Sequence, residues 1–121
     1  MEKRLSEKEE ALMQVIWRLE KAFAREVREA LPDPKPHINT IATIMRRLAD
    51  KGFLVYEDFG ATYRYSAAIS QKDYTNKFVK PLLTRLFGNS MKNAVAFFAE
   101  QEEVSVQELK EIIRMIEKKR K

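Results

Sequence analysis

A chain of 121 residues has the length of one domain with at most an appended subdomain. Its 45% hydrophobic content is that of a folded protein, its 34% charged content implies a strongly polar surface, and no apolar run approaches the roughly 18 residues that a membrane span needs. Cysteine is absent and His37 is the only histidine, which excludes disulfides, thiolate metal sites, cysteine nucleophiles and a histidine-rich metal site within one chain. Gly52, Gly60 and Gly88 are isolated, so no Gly-rich phosphate loop exists. No catalytic constellation, metal or cofactor is therefore expected. The opening "MEKRLSEKEE" lacks the apolar core of a secretory signal, and a cytoplasmic location without membrane association is the expectation.

The net charge of +5 and the pI of about 9.5 favour an acidic partner such as nucleic acid. Residues 1–66 carry 12 basic and 11 acidic side chains and residues 67–121 carry 11 and 7, so the excess sits in the second half. Part of it is the terminal "KKRK", which has the character of a solvated helix end. Bulk charge decides little, and pattern must carry the reading.

Ser6 and Glu9 have the spacing of a capping box, and behind them Leu12, Val15, Ile16 and Leu19 fall on one stripe. A first helix is predicted over Glu7 to Glu20, with Trp17 as a core residue beside the stripe. "AREVREAL" supplies a short second helix facing inward through Val27, Ala30 and Leu31, and "PDPKP" ends it. A third helix is predicted from Asn39, as its cap, to Asp50, with Ile41, Ile44, Met45 and Leu48 buried. His37 reads as a polar loop residue just before it. Gly52 ends that helix, Phe53 to Asp58 and Thr62 to Ala67 read as strands, and "FGA" makes the turn between them at Gly60.

Ser70 begins a further helix carrying Phe78, Leu82, Leu83, Leu86 and Phe87, with a kink expected at Pro81. "GNS" ends it, Ser90 caps "MKNAVAFFAE", and Ser105 with Glu108 repeats the capping-box spacing before Val106, Leu109, Ile112, Ile113 and Ile116. Three short amphipathic helices cannot easily bury all of this apolar surface within one chain, and a homodimer is the expected remedy. The fold class expected is mostly α with a small β wing: a winged helix-turn-helix domain over residues 1–69, then a helical dimerisation subdomain over 70–121.

The outer face of the third helix is the candidate site. Arg pairs with guanine O6 and N7, Asn suits adenine, and Thr offers a methyl to thymine and a hydroxyl to phosphate. Asn39, Thr40, Thr43 and Arg46 occupy successive turns of one face with Arg47 beside them; the same pattern also describes an ordinary solvated helix face, and the neighbouring wing is what favours DNA. In the wing Arg64 is the candidate phosphate contact, with Tyr63 and Tyr65 sent to the opposite face by alternation. Glu57 and Asp58 near the hairpin tip count against a phosphate-binding wing. The pair Phe97 and Phe98, with Met91 and Val95, reads as dimer or subdomain core rather than a small-molecule pocket.

In order along nearly the whole chain, "LSEKEEALMQVIW", "AREVREAL", "NTIATIMRRLADKGFL", "YRY", "LLTRLFGNS" and "VSVQELKEIIRMIE" resemble the BlaI/MecI family of bacterial repressors, which control β-lactamase and methicillin-resistance genes and include the CopY copper regulators. The resemblance implies a homodimer, joined by its C-terminal helices, that binds a palindromic DNA operator, typically a TACA/TGTA dyad. It places Thr40, Thr43 and Arg46 toward the major groove, Arg64 toward the backbone, and Phe78, Leu82, Leu86, Phe87, Phe97, Phe98, Leu109, Ile112, Ile113 and Ile116 in the part that dimerises. Relatives governed by a sensor protease are cut at an Asn-Phe bond; the matching position here is Phe97-Phe98, which implies either no such cleavage or a protease of different preference. The cysteine-rich C-terminus of copper-responsive relatives is absent, so copper sensing is not implied. The competing reading is a winged-helix protein-interaction module with little sequence-specific DNA binding, supported by the near-neutral N-terminal half and the acidic wing tip.

Overall fold

The computed structural model describes residues 4–120. The last residue of the "KKRK" run therefore lies outside the described residues, as do the first three of the N-terminal stretch. The Ser6 hydroxyl accepts from the Glu9 N–H at 3.2 Å while the Glu9 carboxylate accepts from the Ser6 N–H at 2.9 Å, opening α1 (Glu7–Leu19) as its spacing requires. Leu12, Val15 and Ile16 are buried, and Met13 joins them. Leu19 is 41% exposed instead, because the helix stops there and Glu20, at a φ of 72°, turns the chain aside.

That turn leads into β1 (Lys21–Phe23), a strand too short and too polar at its start to announce itself in sequence. It exists because the central strand of the wing offers it a ladder partner. The helix α2 (Ala24–Ala30) follows, with Val27 buried and Leu31 buried just past its end. The proline segment after it is pinned by cations: the Arg28 Nε donates to the Pro36 carbonyl at 2.8 Å, and the Lys35 Nζ donates to the Glu29 carbonyl at 3.0 Å and to that of Leu31. Helix-terminal carbonyls without intrahelical partners are thereby satisfied.

The helix α3 (Ile38–Asp50) starts one residue earlier than expected. His37, not Asn39, is its cap: the imidazole Nδ1 accepts the Asn39 N–H at 3.0 Å. An unprotonated ring nitrogen serves here as well as an Asn carbonyl would. Ile41, Met45 and Leu48 are wholly buried, each contributing roughly 1.5–3 kcal/mol from its apolar surface, while Ile44 is only half-buried. Gly52 ends the helix at a φ of 89°.

Strands β2 (Leu54–Asp58) and β3 (Tyr63–Ala67) form the expected hairpin, closed by the Phe59 N–H on the Thr62 carbonyl at 2.9 Å, with Gly60 at a φ of 86°. The antiparallel sheet has the order β1-β3-β2, pairing Ala22 with Tyr65 on one side and Tyr56 with Tyr65 on the other. The protein is thus mostly helical with a small β wing, as its sequence predicts.

Ser70 caps α4 (Gln71–Tyr74), accepting the Asp73 N–H at 3.0 Å. Tyr74 is buried among the residues before it: its hydroxyl accepts the Leu5 N–H at 2.9 Å, and its ring lies 5.8 Å from Trp17 and 6.1 Å from Phe53. The Trp17 Nε1 donates to the Ile69 carbonyl at 2.9 Å. Consequently the first compact unit ends at Phe78 and the second begins at Val79, later than a boundary at 69/70. The half-buried Phe78 ring lies 4.9 Å from that of Tyr74, tilted against it, in the aromatic cluster of the first unit.

A π-helical stretch (Thr75–Val79) runs directly into α5 (Lys80–Leu86), so the regular α hydrogen-bond pattern is broken in the turn before Pro81, where a ring and a missing N–H disfavour it. In the second unit α6 (Met91–Glu100) and α7 (Val106–Lys119) take Ser90 and Ser105 as caps, the latter in a capping box with Glu108. The Phe87 ring lies 5.4 Å from that of Phe97, which lies 5.3 Å from that of Phe98. No helix among the described residues is long and apolar enough to cross a membrane.

Candidate nucleic-acid interface

With Ile41, Met45 and Leu48 driven inward, helical geometry turns Asn39, Thr40, Thr43, Arg46, Arg47 and Asp50 outward, and all six are exposed. These residues divide between two flanks of α3. On one flank Asn39, Thr40, Thr43 and Arg47 share a shallow groove with Lys8 of α1. On the other, Arg46 lies in a cleft of about 230 Å³ against the wing, with Tyr63, Tyr65 and the turn at Gly60 to Thr62 as its far wall.

The chemistry of each side chain is narrowed by its surroundings. The Thr43 hydroxyl donates to the Asn39 carbonyl one turn back at 2.8 Å, so its proton is engaged and its methyl is the group left for recognition. Burial pushes the Tyr65 phenol above its ordinary pKa, against the opposing charge of Arg46 nearby. Tyr65 therefore stays a neutral hydroxyl beside a fixed cation. Neighbouring Tyr63 stacks on Tyr56 with ring centres 4.5 Å apart, which stiffens the wall of the cleft.

Arg64 is placed differently. Alternation does put the tyrosines on the opposite face of β3, and it is the tyrosine face that lines the cleft with Arg46. On its own face Arg64 stands directly across from Glu57 in the β2·β3 register and donates from Nη2 to the Glu57 carboxylate at 2.8 Å. Lys21 of β1 approaches the same carboxylate at 3.5 Å, and the guanidinium lies over the Phe59 ring, 5.2 Å from its centre. The Arg64 pairing holds the Glu57 carboxyl below the usual range, with Lys21 adding to it. The Arg64 Nε is buried without a hydrogen-bond partner among the described residues. Glu57, one of the two acidic side chains that counted against the wing, is thus the shared anion of a cluster with two cations.

Three residues of this surface escape a reading of the sequence. Lys8 belongs to α1, and nothing in its local pattern says that the first turn of α1 lies beside the first turn of α3. Tyr63 and Tyr65 read as packing residues, and only the curl of the hairpin against α3 makes them a wall of the Arg46 cleft.

In the second unit Leu82, Phe87 and Leu109 are half-buried, whereas Leu86, Phe97, Phe98, Ile112, Ile113 and Ile116 are exposed, Leu86 by 67% and Ile113 by 54%. Isolated exposed apolar residues are ordinary, but this many on three consecutive helices is not.

Three helices, a three-stranded wing and an outward polar face on the third helix define a winged helix-turn-helix protein. The model of the penicillinase repressor family matches residues 5–118, and the chain belongs to that family. It is 31% identical to a penicillinase repressor of Staphylococcus aureus over 112 residues, covering 89% of each chain. Over 116 residues it is 26% identical to the methicillin resistance regulatory protein MecI of the same species, strain N315, covering 95% of this chain and 94% of that one. A penicillinase repressor of Bacillus licheniformis is 28% identical over 118 residues, covering 93% and 89%. The protein is accordingly a member of a family of transcriptional repressors.

Proposed function

We propose that the protein is a homodimeric repressor that binds a palindromic DNA operator in the cytoplasm, inserting α3 into the major groove and laying the wing beside the backbone. The observation that carries this reading is the division of α3 itself, with one face wholly buried and the other presenting Asn39, Thr40, Thr43, Arg46 and Arg47 to solvent. Membership of a repressor family supports it. The exposed apolar residues of α5 to α7 support the dimer, which would set two half-sites one helical turn, roughly 34–36 Å, or a multiple of it, apart. A sensor protease acting at Phe97-Phe98 would meet that bond inside α6 and would first have to unwind it, since proteolysis favours open chain.

One observation favours a protein-docking module instead: Glu57 occupies the Arg64 guanidinium and so weakens the wing as a phosphate contact. Fluorescence anisotropy with a TACA/TGTA dyad duplex and a scrambled duplex, at two salt concentrations, separates the readings. The repressor prefers the dyad by about a thousandfold. Equal, steeply salt-sensitive binding to both duplexes would leave only attraction to the basic surface and point to a different operator or to the docking module.

A further inference from the structure

Behind the first two turns of α3 lies a half-open cavity of about 240 Å³, walled by α1, the proline segment and α3. Leu12, Leu31, Pro34, Ile41 and Ile44 make it almost wholly apolar. The wall formed by the proline segment is held in place, because Arg28 engages the Pro36 carbonyl and Lys35 those of Glu29 and Leu31. At the rim stands Lys8, which makes no ion pair with any described residue. A half-open hydrocarbon surface with one cation at its mouth matches a compact apolar body carrying one negative charge.

Lys8, Thr40 and Ile44 line both this cavity and the outer groove containing Asn39, Thr43 and Arg47. A carboxylate held at Lys8 would neutralise a cation of that groove and set a negative charge where a DNA phosphate would approach. We propose that the cavity binds a small aromatic or alicyclic monocarboxylate, with its rings against Pro34, Pro36 and Ile44 and its carboxylate on Lys8, and that its occupation opposes DNA binding by α3. The second half rests on the DNA-binding reading, and the first does not.

The test uses 2-naphthoate and its neutral isostere 2-naphthamide, titrated into the full-length protein without DNA while the methyl resonances of Leu12, Leu31, Ile41 and Ile44 are followed. Saturable shifts confined to these methyls, with naphthoate binding about tenfold tighter than naphthamide, are expected. Lys8→Gln should bring the two probes within about twofold of each other, and Ala11→Trp, at an exposed position of the cavity wall, should abolish the shifts. Absence of saturable shifts, shifts elsewhere on the surface, or equal affinity for the two probes in the unsubstituted protein would overturn the site. In a separate arm, saturating naphthoate should weaken binding to the dyad duplex at least tenfold in the unsubstituted protein and leave Ala11→Trp unaffected. Unchanged duplex affinity with naphthoate bound would overturn the regulatory half. A protein that binds naphthoate but shows no dyad preference would leave the site standing and count against the operator reading.

Discussion

The Glu9 carboxylate at the start of α1 accepts a hydrogen bond from the Lys51 ammonium at the end of α3, 2.8 Å away. Its other oxygen closes the capping box on the Ser6 N–H. One buried carboxylate thereby satisfies a helix N-terminus and ties it to the residue that terminates the candidate recognition helix.

That arrangement predicts an acid-sensitive fold. Burial alone would raise the Glu9 pKa, but hydrogen bonding from Lys51 and Ser6, with the Lys51 charge, outweighs it and the net shift is downward. A depressed folded-state value means that the stabilisation is fully present above the ordinary glutamate value of 4.5 and is lost as pH falls through the lowered folded value. Lys51→Ala leaves Glu9 without its cation and should cost about 1–2 kcal/mol, less than a fully buried pair because Lys51 is half exposed. Urea unfolding at pH 7 and pH 3 measures both; a difference between the two proteins that does not shrink at pH 3 would contradict the assignment.

Capping by His37 predicts that His37→Ala destabilises the first turn of α3 by roughly 0.5–2 kcal/mol, whereas His37→Ser retains most of the stability. Thermal denaturation of the two variants decides the point. Equal loss in both would mean that the ring serves through packing rather than through Nδ1.

If Arg46 reads a base from its cleft, Arg46→Ala should cost about 1–3 kcal/mol on the cognate operator and relax preference at one base pair. An equal loss on every duplex would make Arg46 a phosphate contact instead. Competition binding against a panel of singly substituted operators distinguishes the two.

The ion pair in the wing turns Glu57 into a brake on Arg64. Glu57→Gln should free the guanidinium, tighten DNA binding and steepen the salt dependence, whereas Arg64→Ala should weaken binding on every sequence and make the slope shallower by about one. Slopes unchanged in both variants would remove the wing from the interface.

The exposed apolar residues of α7 predict that Ile113→Glu places a charge in the dimer contact and shifts the protein to monomers in sedimentation equilibrium. A dimer that persists at unchanged affinity would locate the interface elsewhere.

The helices and their serine caps were legible in the sequence because they depend on neighbours three and four residues apart. Ser6 with Glu9, Ser105 with Glu108, the buried Ile41, Met45 and Leu48 of α3 and the Gly52 and Gly60 positions are all local, and each is found where the pattern places it. The outward polar face of α3 followed from the same periodicity. What only the tertiary structure decided depends on partners distant in the chain. β1 exists because β3 offers it hydrogen bonds, Phe78 joins the first unit because the Phe53 ring lies against it, and Arg64 meets Glu57 because the hairpin register sets them opposite. The cavity behind α3 is of the same kind: its walls come from segments separated in sequence, and no periodicity within any of them announces the apolar space they enclose.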